Sequence, residues 1–436
     1  MTARRFSIPI HVISLGCPKN LVDTERLLGG LPGEPRLVAR PEDAAVVLVN
    51  TCGFIRPAVE ESLSEILDAA AAVRGLHPKP LLAVAGCLVS RYGEDLKAGL
   101  PEVDLWLSTH ELPDWPGKIA QALERPAGHE PSRLFSTAPS FAYVKISEGC
   151  RHACRFCTIP SIRGRLKSRL VAALTSEARS ILATGRKEII LVAQDLTAYG
   201  RDLEPGVSLR SLLETLLPLS GLERLRLLYL YPAGLTPALL DFLKAAGPPF
   251  VPYFDIPLQH SHPDVLKSMG RPFAKDPRRV IDLVRSRFPD AAIRTSLITG
   301  YPGETRTHFK HLLSFVRESR FAHLGVFAFQ AESGTPAARL PGQVAMKTRE
   351  SRREELMAVQ AEISGQWLSS FVGRDLDILV DAPHPEWPGL HVGRAWFQAP
   401  EIDGVTYISG PGTAPGALVK AAVEEAKTYD LVALAG

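Results

Sequence analysis

Three short apolar runs, HVISLGC, VVLVNTC and LLAVAGC, constrain this chain more than anything else in it. Each is rich in β-branched residues and each ends at a cysteine. Helical patterns such as AVEESLSEILDAAAAV lie between them, so strand and helix alternate. Cys17, Cys52 and Cys87 follow one another at equal steps of 35 residues, roughly one strand–helix repeat of a parallel sheet. In an open α/β sheet the ligand crevice lies beyond the carboxyl ends of the strands. Three thiols from three such ends are therefore expected to converge on one point.

The remaining cysteines, Cys150, Cys154 and Cys157, sit in YVKISEGCRHACRFCTIP as a C-x3-C-x2-C triplet. Three thiolates on one loop can hold three irons of a 4Fe–4S cube and leave the fourth without a protein ligand. Zinc prefers repeated cysteine pairs and four ligands, and His152 is too close in sequence to close a tetrahedron. Six cysteines in 436 residues are too few for a disulfide scaffold, and their clustering points to metal or redox chemistry. For the first set, three packed thiols at a sheet edge are the plain alternative. Their surroundings (SLGCPKNLVDTE, VNTCGFIRPA, AGCLVSRY) instead supply amides and positive charge that favour thiolate. A second three-thiolate cluster with its own open iron is the expectation.

At 436 residues, two or three domains are expected, and 45% apolar with 22% charged residues is ordinary for a folded enzyme. Residues 8–125 read as the open parallel α/β domain. A linker, ERPAGHEPSRLFSTAPS, follows. Residues 136–366 alternate again, with YVKIS, EIILVAQD, RLRLLYLYP, YFDIPLQH, AIRTSLITGYPGE and HLGVFAFQ as six strands of a partial (β/α)6 barrel whose chemistry sits at the C-terminal strand ends. Residues 367–436 read as short strands broken by Gly and Pro, the pattern of a small antiparallel β-barrel. No apolar run reaches membrane-span length and the start lacks a secretory h-region, so a cytoplasmic location and no membrane partner are expected.

From about residue 10 to its C-terminus the chain resembles the methylthiotransferase family of radical-SAM enzymes. SLGCPKNLVDTE, NTCGFI and AGCL resemble its N-terminal cluster domain, and ISEGCRHACRFCTIPSIRGRLKSR its radical-SAM loop. LVAQDLTAYG, DIPLQHSHPDVLKSMGR and ITGYPGET resemble three further barrel motifs, and the tail resembles the family's TRAM barrel. The resemblance implies two 4Fe–4S clusters, one on Cys17, Cys52 and Cys87 and one on Cys150, Cys154 and Cys157. S-adenosylmethionine would chelate the open iron of the second and be cleaved to a 5′-deoxyadenosyl radical. The first would carry sulfur, methylated by another S-adenosylmethionine and transferred as a methylthio group to an unactivated C–H carbon. An external reductant and a sulfur donor are implied, with no catalytic residues beyond the cluster ligands. Phe156, Gln194, Asp195, Gln259, Ser296 and Gly300 are the implied cofactor contacts. A polar residue at a strand end is also an ordinary turn or helix cap. Arg163, Arg165, Lys167 and Arg169 could ground carboxylates or simply start a solvated helix. The chain departs from the family in DLWLSTHEL, where Ser108 and Thr109 replace a Gly-Thr pair.

Family members act either on the 2-position of an adenosine in transfer RNA or on an aspartate β-carbon of ribosomal small-subunit protein twelve. Residues 367–436 hold four basic groups (Arg374, Arg394, Lys420, Lys427) against nine acidic ones. That balance of −5 leaves +8 for the rest of a chain of net charge +3. RNA binding needs cations against phosphates, whereas opposite fields steer an acidic barrel to a basic ribosomal protein. APEIDG and QDLTAYG also resemble the aspartate-modifying branch. The protein substrate, held through the acidic barrel, is the expectation, with transfer RNA the alternative. A non-catalytic iron–sulfur or zinc RNA-binding module would need a basic barrel and none of the barrel motifs.

Overall fold

The computed structural model describes residues 7–126, 133–271 and 276–436, and its chain divides into two compact units. The first comprises Met1–Ser136 with Glu148–His152 and Cys157–Arg165, and the second the remainder. Part of the linker, residues 127–132, and residues 272–275 lie outside the described residues.

The first unit is built as β1 (Ser7–Ser14), α1 (Pro18–Gly30), β2 (Glu34–Leu37), β3 (Val46–Thr51), α2 (Arg56–Val73), β4 (Leu81–Gly86), α3 (Cys87–Gly99), β5 (Leu105–Ser108) and α4 (Trp115–Ala122). The five strands form one parallel sheet in the order β2-β1-β3-β4-β5. Every residue of β3 is buried, as a strand covered on both faces requires. Val46 and Leu48 face one apolar layer with Ile10, Leu27 and Trp115, and Val47 and Val49 face the other with Ile66 and Leu88. The sequence pattern missed β2 and β5. Both are four-residue edge strands with little of the buried apolar signal that marks the centre.

β6 (Phe141–Lys145) opens the second unit and leads to the cysteine loop, which runs between the two-residue strands β7 (Ser147–Glu148) and β8 (Lys167–Ser168); α5 (Ile159–Arg163), between them in the chain, belongs to the first unit. Then come α6 (Val171–Ala183), β9 (Glu188–Val192), α7 (Leu209–Leu216), β10 (Arg224–Leu227), α8 (Pro237–Ala246) and β11 (Phe250–Asp255). After α9 (Pro263–Ser268), α10 (Arg278–Arg285), β12 (Ala292–Thr299), α11 (Arg306–Ser319), β13 (His323–Ala328) and α12 (Met346–Ser369) complete the α/β part. The six strands run parallel in the order β13-β12-β11-β10-β9-β6, the open barrel expected from the alternation.

The tail closes a five-stranded barrel from β14 (Asp375–Pro383), β15 (His391–Arg394), β16 (Thr406–Ser409), β17 (Leu418–Ala426) and β18 (Leu431–Ala435). It is not wholly antiparallel: β16 and β18 pair in parallel, because the intervening β17 crosses to the far side of β14 before β18 returns. Among the described residues no helix is long and apolar enough to cross a membrane.

The barrel is joined to the six-stranded sheet by buried charge. Arg394, 1% exposed, bridges Glu188 at 2.6 Å and Asp381 at 2.7 Å, while Arg226 holds the other Glu188 oxygen at 2.7 Å. Burial alone would raise the Glu188 carboxyl, but Arg226, Arg394 and Arg224 hold it down at about 2. Asp403, from the APEIDG segment, accepts from Arg294 (2.7 Å) and from the Tyr253 hydroxyl (2.7 Å). These partners sit in β9, β10, β11 and β12; Glu188 opens β9, at the end opposite the one leading to Gln194. APEIDG is thus a docking piece of the fold. Removing one partner of a buried pair strands the other, so Asp403→Ala is expected to lower unfolding stability by about 3 kcal/mol. Denaturant titration checks it; a change below about 0.5 kcal/mol would mean that the barrel is not anchored here.

Candidate metal centre

Cys17, Cys52 and Cys87 occupy the C-terminal ends of β1, β3 and β4, which are neighbours in the sheet. Cys17 caps α1 ahead of Pro18, and Cys87 is the first residue of α3, so two of the three thiols sit at helix N-termini where the dipole favours an anion. Two glycines show how closely the three loops approach. A Cβ on Gly16, whose φ is +89°, would lie 2.9 Å from the Cys52 Cβ and 3.2 Å from its Sγ. One on Gly53 would lie 2.9 Å from the Cys87 carbonyl carbon. Asn20 stitches the loops from within, donating to the carbonyls of Leu15 (3.0 Å) and Thr51 (2.9 Å).

Arg163 completes this unit. Its Nε and Nη2 donate to the Cys87 Sγ at 3.3 and 3.2 Å, Nη1 donates to Asp23 (2.7 Å) and Glu148 (3.1 Å), and Nη2 also donates to the Asn20 amide oxygen. Arg163 and Asp23 have side chains only 2% exposed, so this is a buried ion pair rather than a solvated helix start. Burial raises the Cys52 thiol to about 12 and also raises Cys87. Burial acts against Cys17 too, yet the charges of Lys19 and Arg163 hold its thiol below the usual value. Three gathered thiols with a guanidinium on one of them suit an anionic cluster, which would ionise all three and remove the burial cost of neutral sulfur.

The loop triplet has comparable support. In the first unit, the N–H groups of His152 and Ile159 donate to the Sγ of Cys150 and Cys157, both at 3.5 Å, and the Cys150 N–H bonds the Gly164 carbonyl at 3.1 Å. In the second unit, Arg271 donates to the Cys154 Sγ at 3.5 Å, and its guanidinium lies 4.5 Å over the Tyr231 ring. Arg155 is held on both sides, by the Met269 carbonyl (3.0 Å) and the Ala337 N–H (2.9 Å). All six cysteines are free thiols. Backbone and guanidinium donors aimed at sulfur are what a thiolate-bound cluster uses to hold its ligands.

The other expected site residues divide. Phe156 packs with Val265, Leu266, Met269, Tyr301 and Phe329, which seats the loop. Asp195 caps the turn after β9, accepting from the Thr197 N–H (2.9 Å) and hydroxyl (2.7 Å), as the plain reading of a strand-end carboxylate allows. Gln194 precedes it, half-buried. Gln259, at φ +73°, and Ser296 meet through backbone, Gln259 N–H to Ser296 carbonyl at 2.8 Å. Gly300 has a structural need of its own: a Cβ there would strike the Arg349 Cγ at 2.2 Å. Arg169 is spent on Glu177 and the Lys145 carbonyl, while Arg165 and Lys167 are exposed. Ser108 and Thr109 act through side chains: the Thr109 hydroxyl donates to the Ile162 carbonyl at 2.7 Å, tying down α5 just before Arg163. Arg271 was not foreseen, although its place after a helix-ending glycine in SMGR was visible.

The chain matches the model of the radical SAM superfamily over residues 144–316, that of the uncharacterized protein family UPF0004 over 9–108, and that of the TRAM domain over 372–435. Solved structures share the fold at low identity: TsrM, a radical S-adenosylmethionine methyltransferase from Kitasatospora setae, superposes with a TM-score of 0.56 at 14% identity, covering 89% of this chain and 77% of its own. Curated relatives are much nearer. The ribosomal protein uS12 methylthiotransferase RimO of Oleidesulfovibrio alaskensis is 61% identical over 98% of this chain and 100% of the relative. Those of Lawsonia intracellularis (54%; 100% of this chain, 99% of the relative) and Aquifex aeolicus (42%; 97% and 96%) follow. The chain belongs to this RimO family of radical-SAM proteins.

Proposed function

We propose that this chain transfers a methylthio group to an aspartate β-carbon of ribosomal protein uS12. The observation that carries the reading is 61% identity over 98% of this chain and the full length of a uS12 methylthiotransferase. Two 4Fe–4S clusters and S-adenosylmethionine would supply the difficult chemistry, one cluster on Cys150, Cys154 and Cys157 and the other on Cys17, Cys52 and Cys87. In the balance, one electron from an external reductant would cleave one S-adenosylmethionine, whose 5′-deoxyadenosyl fragment would take a hydrogen from the target carbon. That carbon would gain a methylthio group, its sulfur from a donor and its methyl from another S-adenosylmethionine, and the electron released as the C–S bond forms would return to the iron–sulfur centre.

The chain's own residues would hold this chemistry in place. Arg163 would neutralise part of the charge on the first thiolate set and keep Cys87 oriented. Arg271 and the N–H groups of His152 and Ile159 would do the same for the second. Phe156 keeps the loop packed, and Gln194, Asp195, Gln259, Ser296 and Gly300, which lie beyond or late in strands β9, β11 and β12, would border S-adenosylmethionine. Burial of the reacting groups would keep water from intercepting them.

The barrel would meet the substrate with what the fold leaves exposed. Asp381, Asp403 and Arg394 are consumed in docking, but Asp375, Asp377, Glu386, Glu401, Glu424 and Glu425 remain exposed against Arg374, Lys420 and Lys427. That surface is still acidic, which favours a basic ribosomal protein over phosphates. A cytoplasmic site of action follows from such a substrate. Incubating cluster-loaded enzyme, S-adenosylmethionine and reductant with purified uS12 or with bulk transfer RNA tests the reading. Mass spectrometry is expected to find a methylthio group on uS12 alone; the same gain on RNA alone would overturn the substrate.

A further inference from the structure

Four of the chain's twelve histidines gather at one place in the second unit, far in sequence from any cysteine ligand. His260 and His262 precede α9, and His308 and His311 lie on α11. The rings of His262 and His308 are 4.2 Å apart, and His311 stands edge-on to His262 at 5.1 Å. One ring nitrogen from each of His262 and His308 and a carboxylate oxygen of Asp264 lie within 4.8 Å of one another. His311 is itself positioned, its Nδ1 2.9 Å from the Ser261 hydroxyl. It also lines a neighbouring cavity of about 340 Å³ with Ser261, Asp276 and Arg278.

We propose that His262, His308 and Asp264 form a second kind of metal site, for a divalent transition ion of the zinc class. Two imidazoles and one carboxylate are the ligand chemistry of zinc and its neighbours, whereas magnesium and calcium take oxygen sets. Tetrahedral zinc places its ligand atoms roughly 3.4 Å apart. An oxygen of the exposed Asp264 side chain already lies 3.8 Å from His262 Nδ1, a few tenths of an ångström beyond that spacing. The existing duties of the two histidines oppose it only weakly. His262 Nδ1 accepts the Asp264 N–H and His308 Nδ1 accepts the Thr305 N–H, both at a long 3.3 Å.

The position gives such an ion something to do. It would pin the start of α9 to the first turn of α11. The other end of α9 leads to the Met269 carbonyl that holds the Arg155 N–H and to Arg271, which donates to Cys154. The ion would therefore steady the segment that seats one cluster ligand, without touching that ligand.

Zinc titration of the cluster-loaded, anaerobic protein tests the site, with iron content followed so that uptake at stripped cysteines is recognised. One zinc per chain is expected, with a thermal midpoint that rises on addition. His308→Gln and His262→Asn are chosen because each keeps its helix cap, Gln completing a capping box with Thr305 and Asn serving as an N-cap. Both are expected to keep their zinc-free melting temperature and full iron content while weakening zinc binding at least tenfold. Unchanged zinc affinity in these variants, or no zinc uptake by the wild-type chain, would overturn the proposal.

Discussion

Cys154→Ala is expected to abolish cleavage of S-adenosylmethionine to 5′-deoxyadenosine, while Cys52→Ala retains that cleavage and loses the methylthio product. The difference would follow from the proposed division of tasks between the two thiolate sets. Cys154 belongs to the loop triplet, which on the proposed reading would hold the cluster whose open iron takes the cofactor, and Arg271 donates to its sulfur. Cys52 lies at the end of β3 between the loops of Cys17 and Cys87. Chromatography of the nucleoside product and mass spectrometry of the substrate separate the two activities. Cleavage at wild-type rate in Cys154→Ala would remove the triplet from the chemistry. Methylthio transfer persisting in Cys52→Ala would remove the first set from sulfur delivery.

Arg163→Met is expected to destabilise the first unit by about 5 kcal/mol, the upper end for breaking a buried ion pair. The substitution leaves Asp23 buried without the cation 2.7 Å away, takes a partner from Glu148, and removes two N–H donors from the Cys87 sulfur. Arg163→Lys keeps the charge but cannot reach four acceptors from one planar fork, so an intermediate loss is expected. Chemical denaturation of the cluster-free chain measures the stability part alone. In the loaded protein, Arg163→Lys should also shift the reduction potential of the first cluster relative to wild type, because donors to sulfur set that potential. A cluster potential identical in Arg163→Lys and wild type would reduce Arg163 to a structural ion pair. A loss in Arg163→Met below about 1 kcal/mol would contradict the buried pair itself.

Much of this could be read from the residues because strong local signals coincided. HVISLGC, VVLVNTC and LLAVAGC carry both the buried-strand composition and the cysteine, so sheet and site were visible together. The edge strands Glu34–Leu37 and Leu105–Ser108 were not, since four residues with partial burial carry no clear period. Arg163 stood among four basic residues after the loop, and nothing local separates the buried one from the solvated ones. Its partners Asp23 and Cys87 are 140 and 76 residues away, and only tertiary structure joins them. The meeting of His262 with His308, 46 residues on, was hidden for the same reason. APEIDG shows the converse limit. As a sequence it marks a family branch, but in the structure Asp403 ties the barrel to Arg294 and Tyr253, so two of the nine barrel carboxylates, Asp381 and Asp403, are not substrate-facing charge.

On the proposed reading the chain carries two separate three-thiolate clusters. Iron and sulfide analysis of anaerobically reconstituted protein tests it most directly, in wild type and in two triple variants. About eight irons are expected in wild type, and about four when Cys17, Cys52 and Cys87 are replaced by Ala or when Cys150, Cys154 and Cys157 are. About four irons in wild type, unchanged by replacing the first set, would contradict it.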